Sequence, residues 1–174
     1  MTAPLIEHHA LEYPGGYTRS VGPALSRYLT GLRAGRLTGV RLRDGRVMVP
    51  PTEYDPVTAE TVDEHVEVGP LGTVTAWTWV AEPRAGKHHL DHPFAFALIR
   101  PDGADTSMVH VVDAGTADAM EVGMRVAPRW RGERTGHITD IEAWVPLGDG
   151  EEPEPAPLHV PAVDEQPVTG ITSP

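Results

Sequence analysis

The chain has 174 residues, no cysteine and a formal charge of −11. Disulfides and thiolate metal sites are therefore excluded, no run approaches the ~18 apolar residues of a membrane span, and no signal peptide opens the chain, so a cytoplasmic protein is expected. From Leu147 onward there are six acids and no Lys or Arg, while 19 acids face 14 bases in the rest, a balance that argues against general nucleic-acid binding.

Residues 1–37 read as an arm and one helix. Met1–Ser20 lacks periodicity and holds Pro4, Pro14, Gly15 and Gly16, the composition of an extended arm; His8-His9 has no neighbouring ligand to complete a metal site. Gly22-Pro23 then opens a helix over Pro23–Ala34, since proline suits a first helical turn, and Gly35 can end it. Leu25, Tyr28, Leu29 and Leu32 fall at i, i+3, i+4 and i+7, a single apolar stripe. Two destinations stay open for that stripe, the chain's own barrel or another protein.

Residues 38–68 are polar and proline-rich. Asp44-Gly45 is a two-residue hairpin signal between Val40–Arg43 and Arg46–Val49. Pro50-Pro51 and Asp55-Pro56 then break regular structure. Such a segment is too small to hold a core alone and needs a staple or a neighbour.

Residues 69–146 carry the dominant signal. Along Gly72–Ala81, Val74, Ala76, Thr78 and Val80 alternate with Thr73, Thr75, Trp77 and Trp79, the period of a strand. Phe94, Phe96 and Leu98 repeat it, as do Val109 and Val111. Thr116–Val122 reads as a short helix stopped by Gly123, and two more strands follow, Met124–Trp130 and His137–Val145. Three strands, a short helix and two strands is the order of an OB-fold barrel, so the fold class is mainly β with a five-stranded OB-fold barrel. Residues 147–174 form an acidic, proline-rich tail whose composition points to a disordered or surface-hugging extension.

In order, Gly35-Arg36-Leu37, Gly45-Arg46-Val47, Pro50-Pro51, Asp55-Pro56-Val57-Thr58 and Gly69-Pro70-Leu71-Gly72-Thr73-Val74 resemble the DUF35 family, small proteins with a rubredoxin-like zinc ribbon ahead of an OB-fold. His92-Pro93-Phe94-Ala95 and Val122-Gly123-Met124-Arg125-Val126 extend the resemblance, which covers Pro23 to Val145. Where the family has four zinc cysteines this chain has Arg41, Asp44, Asp55 and Thr58, with the spacing intact. Structural zinc needs deprotonated Cys or His ligands, so the ribbon is expected to be degenerate and metal-free. Arg41 is expected either to pair with Asp55 or Asp44 across the old site, or to leave two independently exposed side chains.

No nucleophile elbow, phosphate loop or zinc-protease helix appears, and no catalytic residue is expected. His88, His89 and His92, with Asp91 among them, form the densest titratable cluster. They lie in a loop before Pro93, where a polar loop is the simpler reading than a divalent-metal site. Arg125, Arg129, Arg131 and Arg134 are the one basic concentration. Alternation puts Arg125, Arg129 and Arg131 on one face, as solvated edge charges or as contacts for the phosphates of a nucleotide-like cofactor. Pro128 among them suits an edge strand. Trp77, Trp79, Trp130 and Trp144 fit core packing better than base stacking.

The resemblance implies a non-catalytic subunit accompanying a thiolase-fold acyl-CoA enzyme, a thiolase or a retro-aldolase of steroid side-chain breakdown, in a hetero-oligomer with two copies of each chain. It places Leu25, Tyr28, Leu29 and Leu32 at the partner interface. CoA or acyl-CoA would be shared with the partner rather than bound tightly by this chain. A stand-alone acyl-CoA or nucleotide-binding module is the alternative, and single-stranded nucleic-acid binding a third.

Overall fold

The computed structural model describes residues 10–13 and 16–148. The expectations for His8-His9 and for the acidic tail beyond Gly148 lie outside the described residues. The elements run β1 (Ala10–Tyr13), β2 (Tyr17–Ser20), α1 (Gly22–Arg33), β3 (Leu37–Arg41), β4 (Val47–Met48), β5 (His65–Val68), β6 (Gly72–Val80), β7 (Phe94–Pro101), β8 (Met108–Val112), β9 (Arg125–Trp130) and β10 (Ile141–Pro146). None of the described helices is long and apolar enough to cross a membrane.

Helix α1 follows its local signals at both ends. Pro23 sits in the first turn, where its missing N–H has no intrahelical partner to lose. The Glu53 carboxylate accepts from Ala24 N at 2.8 Å, which satisfies a free donor and places negative charge at the positive end of the helix. At the other end Gly35 has φ +71°, its N–H reaches Leu32 O at 2.9 Å and Arg36 N reaches Gly31 O at 2.8 Å. Those two bonds are a Schellman cap, which requires a left-handed residue there.

The apolar stripe of α1 turns inward. Tyr28, Leu29 and Leu32 are buried in one core with Leu37, Val47, Val49 and Val68 of the ribbon segment and with the barrel interior, and Leu25 packs against it. Of the two destinations left open for Leu25, Tyr28, Leu29 and Leu32, the stripe meets the chain's own ribbon and barrel. Their apolar surface is covered by the chain itself, so Tyr28, Leu29 and Leu32 have almost none left to offer. The Tyr28 hydroxyl also meets Met108 Sδ at 3.7 Å, directly joining helix and barrel.

Strands β4, β3 and β5 form a three-stranded antiparallel sheet in the ribbon segment. The turn lies where Asp44-Gly45 predicts it, with Gly45 at φ +89° and Gly45 N bonded to Leu42 O at 3.0 Å. This sheet leans on the barrel: Asp105 accepts from Val47 N at 2.7 Å, and Thr106 Oγ1 both accepts from Val49 N at 2.8 Å and donates to Val49 O at 2.9 Å. The neighbour that so small a segment needs is therefore the loop between β7 and β8. Gly39 lets β4 approach, since a Cβ there would sit 2.6 Å from Met48 O.

The five remaining strands close a barrel in the order β10-β8-β7-β6-β9. β6, β7 and β8 form an antiparallel meander, β10 runs parallel to β8, and β9 closes the ring between β10 and β6. This mixed, closed, five-stranded barrel is the expected OB-fold.

One strand breaks its simple alternation and one expected helix does not form. The register of β6 shifts between Val74 and Ala76, so a bulge at Thr75 reverses which residues face the core. Val74 points inward, but beyond the bulge it is Trp77 and Trp79 that pack on the core while Ala76 and Thr78 are exposed. The helix expected at Thr116–Val122 is only a 3₁₀ turn, Ala117–Ala119, bounded by extended backbone at Thr116 and Met120 with no side-chain cap. Met120 is buried in the core, and the chain straightens to deliver it.

Candidate functional site

Three groupings singled out in the sequence can be placed: the cysteine-free ribbon, the histidine loop and the basic strand.

At the ribbon, Asp55 replaces an expected cysteine and is buried. Its Oδ1 accepts from Val57 N at 2.7 Å and Thr58 N at 3.2 Å, so a carboxylate holds the turn from within. Asp44 likewise accepts from Arg46 N at 3.0 Å and from Arg46 Nε at 2.7 Å. These bonds hold its carboxyl below the ordinary range, the backbone bond first. Arg41 pairs with neither aspartate, which corrects that expectation; it bonds Glu64 at 3.0 Å and Gly45 O at 3.3 Å. Neighbouring Arg43 pairs with Glu60 at 2.7 Å. Both pairs are exposed and contribute about 0–1 kcal/mol each. Turn geometry and the docking on Asp105 and Thr106 therefore matter more here than charge. Among the described residues no group of three or more His, Cys, Asp or Glu is arranged to hold a metal ion. We predict that metal analysis of the purified protein finds no stoichiometric zinc and that a chelator leaves the Tm unchanged.

The histidine loop between β6 and β7 is dispersed. The His88 ring meets Phe94 and Phe96 edge-on, and its Nδ1 accepts from Arg84 N at 2.9 Å. His89 Nε2 lies 3.3 Å from the Arg131 guanidinium. His92 bridges Asp91 at 3.1 Å and Asp113 at 3.3 Å. Leu90 anchors the loop in a small cluster with Phe94, Val111 and Ala143. The three rings thus serve three separate contacts.

The basic strand is mostly neutralised. Arg125 pairs with Asp102 through both of its terminal nitrogens and donates to Thr73 Oγ1 at 2.8 Å. Arg129 bridges Glu142 at 2.6 Å and Asp113 at 2.9 Å. Arg131 lies in the turn after β9, beside His89. Arg134 is buried and donates to the carbonyls of Arg33 at 2.9 Å and Arg131 at 3.0 Å. Burial raises the Asp113 carboxyl, but its bonds with Arg129 and His92 outweigh that and leave it below the ordinary range. Pro128 pairs with Trp144 of β10 on one side only, because the pairing of β9 with β6 ends at Val126, so the proline sits on a local strand edge as expected. Trp77, Trp79 and Trp130 pack against the core and Trp144 is fully buried, which suits packing rather than base stacking.

A residue that the sequence did not single out is His110, buried on the inner side of β8. Its Nε2–H donates to Ile138 O at 3.2 Å. Burial pushes its pKa below the ordinary 6.5, and burial likewise lowers His89 and His65. For a histidine depressed in the fold, the unfolded chain takes up protons first as pH falls. Stability is then complete above the unfolded value and declines as pH drops below about 6.5. His92 is shifted upward, by Asp91 first, and acts in the opposite sense from a solvated position. The Tm should therefore fall between pH 7.5 and pH 5.5, and His110→Gln should flatten that slope. An unchanged slope in the variant would remove His110 from the account.

Against known proteins, residues 65–131 match the family described as the C-terminal OB-fold domain of ChsH2. No curated protein sequence matches the chain. Among solved structures it is similar to a DUF35-family protein of unknown function from Sulfolobus solfataricus. That likeness has a TM-score of 0.52 and 23% identity, over 62% of this chain and 77% of that one. It is also similar to a chain of the Ltp2-ChsH2(DUF35) aldolase, with a TM-score of 0.53 and 20% identity, over 72% of this chain and 93% of that one. At these identities the likeness to solved structures establishes the shared fold. Residues 65–131 thus carry an OB-fold of the ChsH2 C-terminal type, and the chain shares the fold of the DUF35 proteins to which it is similar.

Proposed function

We propose that this chain is a non-catalytic accessory subunit that binds and stabilises a thiolase-fold acyl-CoA enzyme, with two copies of each chain in the complex. The observation that carries the reading is the ChsH2-type barrel at residues 65–131, on a chain whose fold follows a DUF35 chain of an aldolase over 93% of that chain's length. Two features support it. His88, His89, His92 and His110 are each engaged in a separate structural contact. The ribbon segment keeps its sheet against the barrel without thiolate ligands. The partner cleaves the carbon–carbon bond, as a thiolase or as a retro-aldolase of steroid side-chain breakdown, and this subunit holds it in an active form.

Co-expression with the thiolase-fold protein encoded nearest to this gene, followed by size exclusion with light scattering, tests the reading. A stable particle with the mass of two plus two chains is expected, and clean separation of the two proteins would overturn it. CoA belongs to the partner in this reading, because Arg125 and Arg129 are each committed to carboxylates. Titration of the isolated chain with CoA should accordingly show no saturable binding.

A further inference from the structure

The outer surface of the barrel carries an apolar stripe that its own loop covers at one end only. Ala76, Leu98 and Val109 stand side by side across β6, β7 and β8, and Phe96 precedes Leu98 on the same face. Phe96 is 36%, Leu98 40% and Val109 63% exposed. The stripe continues into Phe94 and Val111, which are buried because Leu90 packs with them. An outward face of an antiparallel sheet is ordinarily polar. A contiguous apolar stretch on one marks a contact surface.

Charge indicates what covers the open end. Arg100 shares the outward face of β7 with Phe96 and Leu98. At the loop end, the turn that presses His88 against Phe96 also presents Arg84 and Lys87, both exposed. Among the described residues none of these three side chains has a carboxylate partner, in a chain of net charge −11. The stripe is thus apolar at its centre and basic at both ends, the composition of an interface core with cationic anchors. Two copies placed face to face would oppose like charges. The stripe itself is not a strand edge, since β7 is paired on both sides by β6 and β8, and the stripe of α1 is already buried.

We infer that the outer face of β6, β7 and β8, centred on Leu98 and Val109, is where the thiolase-fold subunit docks, through an apolar area bordered by carboxylates. The inference rests on the accessory-subunit reading above. It moves the partner contact from the helix to the barrel wall, at positions where a substitution costs the isolated fold little.

The test compares wild type, Leu98→Glu, Val109→Glu and Arg100→Glu, each as the full chain, with the Tm measured beside affinity for the partner. Wild-type binding is expected, with Val109→Glu keeping the wild-type Tm and losing about 30-fold or more in affinity, the factor of a hot-spot residue. Arg100→Glu should weaken binding more at low salt than at high salt. Val109→Thr controls for β-branching and should bind within a few fold. If wild type binds and Leu98→Glu and Val109→Glu bind equally well, this face is not the docking surface. If wild type alone is a dimer that Val109→Glu dissociates, the occupant is a second copy. If Val109→Glu instead speeds amide exchange within residues 149–174, the occupant is the chain's own tail, and either result overturns the assignment to the partner. Absence of any wild-type complex would defeat the accessory reading itself, a separate outcome.

Discussion

Replacing Trp144 with alanine should cost about 3–5 kcal/mol, the range for removing a fully buried large aromatic. Trp144 is completely buried and sits on β10 opposite both Val112 of β8 and Pro128 of β9, so it fills the barrel where the ring closes. The packing there leaves little room for collapse. A Cβ added at Gly72 would lie 2.6 Å from Ile99 Cγ2 and 3.2 Å from the Trp144 ring, and Gly72, with Thr73, is where β6 pairs with β9. Urea unfolding checks the prediction, with a lower midpoint at an unchanged slope as the expected result. The Trp144 indole N–H is buried without a partner. Trp144→Phe should therefore lose less than the ring volume alone implies, because it also removes an unsatisfied donor. A loss below about 1 kcal/mol for Trp144→Ala would mean that the barrel interior repacks freely.

Asp140→Ala is expected to be comparably damaging for a different reason. Asp140 is 2% exposed, and its carboxylate accepts three backbone bonds, from Thr135 N at 3.0 Å, Gly136 N at 2.7 Å and His137 N at 3.1 Å. Alanine leaves those donors without an acceptor inside the loop between β9 and β10. Each stranded group costs about 1–3 kcal/mol, so a loss of roughly 3 kcal/mol or more is expected. The same loop carries Arg134, whose guanidinium donates to Arg33 O at the end of α1. The damage should therefore spread from the loop to the helix, and amide exchange should accelerate at residues 135–137 and in the last turn of α1. Confinement of the change to residues 135–137 would show that Arg134 holds the helix independently.

Legibility followed the range of the forces involved. Both ends of α1 were readable, because a proline in the first turn and a left-handed glycine after the last are local requirements of the backbone. The turn at Asp44-Gly45 was readable for the same reason. So was the barrel's strand order, since period-two patterning and turn residues recur along the chain. The ordered motifs also pointed to the OB-fold type that residues 65–131 match. What escaped depended on distant partners. One extra residue at Thr75 reversed the faces of β6. The short helix near Thr116 gave way to burial of Met120.

The sequence by itself thus determined where α1 begins and ends, where the barrel strands run, and that thiolate ligands are absent. Only the tertiary structure decided which side of each strand and helix is covered. Arg41 found Glu64 rather than an aspartate, Arg125 and Arg129 found carboxylates rather than an open face, and the stripe of α1 closed onto the ribbon and barrel. It also left the outer stripe at Leu98 and Val109 exposed. Apolar burial and ion pairing are indifferent to separation along the chain: they depend on which surfaces the fold brings within a few ångströms, and periodicity names a face without naming its neighbour.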